Sequence, residues 1–203
     1  MLAIVDYDMG NVRSVAKSFE RVGIESVLSD QREVILAADG VVLPGVGAFG
    51  DAMEILHKKD LVKTLLEVYQ RQKPLLGICL GLQLLFDYSL EKGYTEGLGL
   101  FAGGVKPIET ELKVPHMGWN ELEIKRSHPI LRDVKEGSFA YFVHSYHVVP
   151  DAEELILATT EYDGDKVAMV AKGSVVGIQF HPEKSSLVGL QILKNFGGMV
   201  DAR

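Results

Sequence analysis

One cysteine, Cys79, stands in a chain of 203 residues. A lone thiol excludes an internal disulfide framework and fits a reducing compartment. Basic residues are also short: 21 Lys and Arg against 28 Asp and Glu leave a net charge of −7. No basic patch stands out, which argues against nucleic acid or an anionic membrane as a partner. No apolar run approaches a transmembrane span. The stretch Met1 to Gly10 meets an acid at Asp6 and lacks the basic flank and apolar length of a secretory signal, so a cytoplasmic location is expected. No Gly-Lys-Ser/Thr follows a glycine-rich loop, so a phosphate loop is missing. No Pro/Ser-rich linker and no repeat interrupts the chain. Its length predicts one domain over residues 1–203.

What remains is an ordinary globular composition, 47% hydrophobic and 24% charged. Leu2 to Val5 reads as a buried strand. Asp6 to Asn11 follows as a loop with turn chemistry at Gly10-Asn11. Val12, Val15, Phe19 and Val22 then fall at helical spacing, and Gly23 ends that helix. Val27-Leu28 and Gly40 to Leu43 are further strands. The rhythm predicts an α/β fold with a parallel sheet and helices on its faces. Helical segments are expected over Asp51 to His57 and Leu61 to Gln72. From about Leu98 short strands replace helices, punctuated at Gly103-Gly104, Asp163-Gly164 and Gly173. They read as a mostly antiparallel or mixed extension of the same sheet. A final helix is expected over Ser186 to Val200, with Leu187, Leu190, Leu193 and Phe196 on one face.

The cysteine sits where chemistry is built in such folds. Leu75, Leu76 and Ile78 form a short apolar run that stops at Cys79, and Leu82, Leu84, Leu85 and Phe86 open an apolar helix. Gly77 and Gly81 flank the thiol, so the pattern is G-x-C-x-G between a strand and a helix. That is a nucleophile elbow with sulfur in place of a hydroxyl. It puts the side chain at the carboxyl end of the sheet and turns helix amides toward it, where an anion is favoured. The Leu80 amide is placed to donate to an oxyanion. A buried structural cysteine fits the same stretch.

Two other strand ends carry polar signals. Gly40 to Leu43 runs into Pro44-Gly45-Val46-Gly47-Ala48-Phe49-Gly50, a loop able to aim amides at a carbonyl oxygen and so to supply a second oxyanion donor. A plain strand-to-helix turn explains the same composition. Val175 to Phe180 ends at His181-Pro182-Glu183. In extended backbone residues i and i+2 share a face, so the carboxylate can orient the imidazole. Thiol nucleophiles need such a held base. Taken alone, His-Pro-Glu is also a common surface turn. His57, His116, His128, His144 and His147 make no metal-ligand spacing with the one cysteine, and no metal is assigned.

Pro-Gly-Val-Gly, Gly-Ile-Cys-Leu-Gly-Leu-Gln and His-Pro-Glu together resemble the class I, triad-type glutamine amidotransferases. Further stretches narrow the match to a branch whose ammonia feeds a barrel enzyme: Gly10-Asn11, Pro115 to Asn120, Val143 to Tyr146, Thr160 to Gly164 and Gln179 to Ser185. They span nearly the whole chain. The resemblance implies a flavodoxin-like layered fold and no cofactor. It implies Cys79 as nucleophile, His181 as general base and acid, and Glu183 as its orienting group. Val46 and Leu80 are the implied oxyanion donors, and Gly47, Gln83, Ser145 and Tyr146 the implied glutamine ligands. Asp8 departs from the small residue usual in the first loop, a change that bears on the partner contact and not on the triad.

Ammonia released into water becomes ammonium, which is no nucleophile, so a sheltered acceptor is required. No acceptor domain is visible in this chain. The implied partner is a (β/α)8-barrel cyclase subunit that binds a phosphorylated ribonucleotide. Asn11, Met117, Trp119, Asn120 and Lys184 are the interface candidates; aromatic anchors are enriched at contacts, although a lone Trp also serves in cores. Other glutaminases of the class, a γ-glutamyl peptidase acting alone, and a binding module without activity are the rival readings. Stimulation of glutamate release by a barrel subunit separates them.

Overall fold

The structure is a computed structural model and describes residues 1–202. Strand β1 (Leu2–Val5) is followed by helix α1 (Val12–Arg21), β2 (Ser26–Ser29), the six-residue α2 (Arg32–Ala37) and β3 (Gly40–Gly45). Helices α3 (Phe49–Lys58) and α4 (Leu61–Gln70) lead to β4 (Leu75–Cys79), the five-residue α5 (Leu80–Leu84) and β5 (Phe86–Ser89). The second half is mostly strand: β6 (Thr95–Glu96), β7 (Phe101–Pro107), β8 (His116–Glu121), β9 (Glu123–Ile124), β10 (Phe139–His144), β11 (Tyr146–Pro150), β12 (Ile156–Glu161), β13 (Asp165–Lys172) and β14 (Val175–Ile178). Helix α6 (Ser186–Asp201) closes the described chain.

The main sheet has eight strands in the order β2-β1-β3-β4-β14-β13-β12-β9. The first five are parallel and the last three antiparallel. Parallel strands buried on both faces need continuous apolar runs, and β1, β3, β4 and β14 are buried at every position. Leu75 faces one core layer, and Leu76 and Ile78 the other. Helices α2 to α5 cover the first face. Helices α1 and α6 cover the second, with the Phe19 and Phe196 ring centroids 6.4 Å apart. Buried aromatics of this kind stabilise by about 3–5 kcal/mol relative to alanine. The register sets Gly45 opposite Cys79 and Ile178 opposite Ile78. The carboxyl ends of β3, β4 and β14 therefore lie side by side.

Several local expectations change. The apolar helix after the cysteine ends at Leu84, and Phe86 opens a strand instead. Long-range pairing overrides the apolar run there: the amides of Leu98 and Leu100 bond to the carbonyls of Leu84 and Leu85, each at 2.8 Å. Gly103-Gly104 is not a turn but lies within β7. A Cβ at Gly103 would sit 2.4 Å from the Val149 carbonyl, and one at Gly104 2.4 Å from the Tyr88 ring. These glycines admit close neighbours, the usual reason for glycine in a strand. The antiparallel extension holds for β13, β12 and β9. The remaining strands form two separate sheets, β11-β7-β5-β6 and the ribbon β10-β8. Among the described residues no helix is long and apolar enough to cross a membrane.

Candidate active site

Cys79 ends β4 with φ 54° and ψ −110°, a left-handed conformation that costs a non-glycine residue about 1–3 kcal/mol. The two flanking glycines make this bend possible. A Cβ at Gly81 would lie 1.8 Å from the Leu43 carbonyl oxygen, and one at Gly77 2.8 Å from the Gly81 carbonyl. The thiol is 7% exposed. Helix α5 is a little over one turn, so a long helix dipole behind the sulfur is absent; its first-turn amides, that of Leu80 among them, have no partner within the helix.

Residues 181–183 lie beside it at the end of β14. The Nδ1 of His181 is 2.9 Å from Oε1 of Glu183, and its backbone is pinned from both sides. The His181 amide donates to the Tyr141 carbonyl at 2.9 Å, and the Ser185 hydroxyl donates to the His181 carbonyl at 2.7 Å. Glu183 returns toward the ring through a 3-10 turn over Pro182–Lys184, not along the extended segment that the sequence suggested. With Nδ1–H given to the carboxylate, Nε2 is left for the sulfur. Burial pulls the imidazole down. Its hydrogen bonds to the Cys79 sulfur and to Glu183, with the charges of both, outweigh that and hold it up at about 10.

Cys79, Leu80, Val46 and Gly47 line one cavity of about 350 Å³ together with Gln83, Ser145, Tyr146 and His181. All the site residues named from the sequence for chemistry and glutamine thus meet here, except Glu183, which stands behind His181. Val46 is exposed, and Gly47 has φ +103°. Gln83 is buried and turns its amide nitrogen inward, 3.0 Å from the Tyr146 carbonyl oxygen. The sequence reading missed Glu91, which also lines the cavity. Its Oε2 accepts from the Phe49 amide at 2.7 Å, tying the wall of the cavity to the start of α3. No signal near the glycine motifs marks it; it is an acid in a polar turn after β5. A larger cleft, about 1030 Å³, lies at the amino ends of β4 and β14 against Pro74, Ser174 and Asn195. It reaches none of the groups above, so size does not locate the site.

The partner-face candidates divide. Met117 and Trp119 are 56% and 49% exposed on the outer side of the β8–β10 ribbon, beside exposed Phe139. Tyr141 packs edge-on to Trp119 at 5.9 Å, and Lys184 Nζ lies 5.9 Å over the Tyr141 ring. Asn11 is exposed at the start of α1, at the carboxyl end of β1. Asn120 instead turns its side chain to the Glu161 carbonyl at 2.8 Å. Asp8 adopts φ 67° and ion-pairs with Lys59 at 3.0 Å; a conformation that favours glycine explains why a small residue is usual there. Among the described residues no three His, Cys, Asp or Glu are placed to hold a metal ion.

The fold and the elbow place the protein in a class, and comparison agrees: the chain belongs to the glutamine amidotransferase class-I family, whose model matches residues 3–198. A solved structure titled "Crystal structure of glutamine amidotransferase" superposes with a TM-score of 0.78 at 17% identity, covering 98% of each chain. The PurLQS structure from Thermotoga maritima gives 0.76 at 19% identity over 99% of this chain and 97% of that one. Within the class the particular relatives are imidazole glycerol phosphate synthase subunits HisH. That of Bacillus cereus (strain G9842) is 50% identical over 203 residues, covering 100% of this chain and 96% of the relative. That of Geobacillus kaustophilus (strain HTA426) is 50% identical over 209 residues, covering 100% and 99%.

Proposed function

We propose that this protein is the glutaminase subunit of an imidazole glycerol phosphate synthase, releasing ammonia from glutamine for a (β/α)8-barrel cyclase partner in histidine biosynthesis. The observation that carries the reading is the meeting of a strained, glycine-flanked thiol with an imidazole held 2.9 Å from a buried carboxylate. In this reading the Cys79 thiolate adds to the γ-carboxamide carbon of glutamine. The amides of Val46 and Leu80 donate to the oxyanion that develops. His181 gives a proton to the leaving nitrogen, and ammonia departs from a thioester. His181 then takes a proton from water, which attacks the thioester, and glutamate leaves. Glu183 keeps the imidazole turned so that Nε2 faces the sulfur.

Gly47, Gln83, Ser145 and Tyr146 hold the amino-acid end of glutamine, and the Glu91 carboxylate is the anion for its ammonium group. The exposed Met117, Trp119 and Phe139, with Lys184 and half-buried Tyr141 beside them, are the partner face, on the ribbon whose Val143 and His144 also line the cavity. A short, covered path for ammonia requires that proximity. A reduced thiol suits the cytoplasm, where the pathway's phosphorylated intermediates are kept. The test is glutamate release from glutamine, alone and with a barrel subunit and its nucleotide ligand. Stimulation of at least about tenfold is expected. Full activity without the partner, or none with it, overturns the reading.

A further inference from the structure

Behind the thiol lies a run of buried polar groups that the triad chemistry leaves unused. Gln179 is fully buried, and its Nε2 lies 3.8 Å from the Cys79 sulfur. Its Oε1 is 3.2 Å from Nε2 of Gln83, which is in turn 3.0 Å from the Tyr146 carbonyl oxygen. The same carbonyl lies 2.8 Å from Nδ1 of His144, and Nε2 of His144 lies 3.1 Å from Nδ1 of His116. The register explains the first contact: Ile178 of β14 sits opposite Ile78 of β4, so the next residues along, Gln179 and Cys79, are neighbours.

One atom fixes the direction of every bond in this run. A backbone carbonyl oxygen only accepts. Gln83 must therefore present its NH2 group to Tyr146, and its second N–H donates to Oε1 of Gln179. Gln179 is then obliged to turn its own NH2 toward the sulfur. The reverse orientation would set two NH2 groups against each other and a carbonyl oxygen against a sulfur that becomes negative when it attacks. From the other side, the Tyr146 carbonyl demands the His144 proton on Nδ1, which leaves Nε2 to accept from His116. Burial pushes His144 down to about 3 and His116 below its usual range, so both rings are neutral and this pattern stands at neutral pH.

We propose that Gln179 is a positioning residue for the nucleophile: its carboxamide N–H holds the Cys79 sulfur in line with His181, and the Tyr146 carbonyl, acting through Gln83, keeps that carboxamide from turning over. The inference rests on the reading of Cys79 as the nucleophile. A hydrogen bond to an ionised acceptor is about twice as strong as a neutral one, so this donor favours the attacking form of the sulfur over the resting one.

The test compares Gln179→Met, which keeps the length and removes the donor, with Gln179→Glu, which keeps the shape and sets a charged acceptor against the sulfur. Glutaminase kinetics are measured in the complex with the barrel subunit. The rate of Cys79 alkylation by iodoacetamide at pH 7 is measured beside them. Expected is a fall in kcat of about ten- to a hundredfold with KM held within about threefold, alkylation slower by about tenfold, and the larger losses in Gln179→Glu. Wild-type kcat and alkylation rate in either folded variant overturn the proposal. If neither variant folds, wild-type protein labelled with 15N-glutamine decides: one side-chain amide must shift when Cys79 is alkylated, and no shift overturns the proposal. A Cys79→Ala protein that still hydrolyses glutamine sinks the parent reading instead, and the alkylation rates still report whether Gln179 acts on the sulfur.

Discussion

The Nδ1 of His181 stands 2.9 Å from Oε1 of Glu183, with side chains only 4% and 2% exposed. A buried base held by one oxygen loses its tautomer when that oxygen becomes an amide. Glu183→Gln is expected to lower kcat by about two to four orders of magnitude with little change in KM. The pair also gives stability a pH dependence. His181 titrates at about 10 in the folded chain against 6.5 unfolded, so the folded chain holds the extra proton between those values. The stabilisation is complete below about pH 6.5 and is lost as pH rises toward 10. Calorimetric melting temperatures across that window must fall more steeply for wild type than for Glu183→Gln; equal slopes contradict the account.

Glycines that look alike in the sequence predict opposite outcomes. A Cβ at Gly81 would overlap the Leu43 carbonyl, while one at Gly198, on helix α6, meets nothing within 4 Å. Gly81→Ala is expected to cost about 3 kcal/mol or more and to lower the melting temperature by roughly 6–12 °C. Gly198→Ala is expected to gain up to about 1 kcal/mol from helix propensity. Thermal unfolding of the two proteins side by side checks the contrast.

Val46 lines the cavity, between Gly45 and Gly47, and its amide is the proposed oxyanion donor. Val46→Pro deletes that N–H and nothing else polar. Glutamine turnover in the complex is expected to drop about a hundred- to a thousandfold, the cost of one oxyanion donor, with partner affinity unchanged. A loss of less than about fivefold would remove Val46 from the mechanism.

Trp119 is half exposed and packs edge-on to Tyr141 of the same ribbon. Its truncation therefore separates folding from assembly. Trp119→Ala is expected to weaken binding of the barrel subunit by about 2 kcal/mol or more in titration calorimetry. The melting temperature of the isolated chain should move by no more than about 2 °C, as for a surface substitution.

The sequence was most legible where backbone sterics leave few choices. Gly77-x-Cys79-x-Gly81 admits one bend, and Leu75 to Ile78 can only be a buried strand. Helices α1 and α6 announce themselves through period, but the face read for α6 is wrong at its start: Leu187 is 78% exposed, and Gly189, Ile192, Leu193 and Phe196 are the residues that turn to the core. What stayed hidden depended on partners far along the chain. Leu85 and Phe86 look helical until residues 98–101 claim their backbone, and Gly103-Gly104 looks like a turn until Tyr88 and Val149 are seen to need the space. Glu91 carries no local mark, and Gln179 is marked only as one end of the Gln179 to Ser185 stretch, with nothing there to say what its side chain does. Each acquires a role from one contact, the first with the Phe49 amide and the second with the Cys79 sulfur.

Strand β14 is the last strand among the described residues, yet it is seated between β4 and β13 in the middle of the sheet. A chain still being made, with its amino-terminal part already folded, has a gap where this strand belongs. It owns a bent thiol and no imidazole to serve it. In the proposed reading, nucleophile and base therefore meet only when β14 has seated beside β4, so a chain without residues 175–183 holds the sulfur with no base beside it.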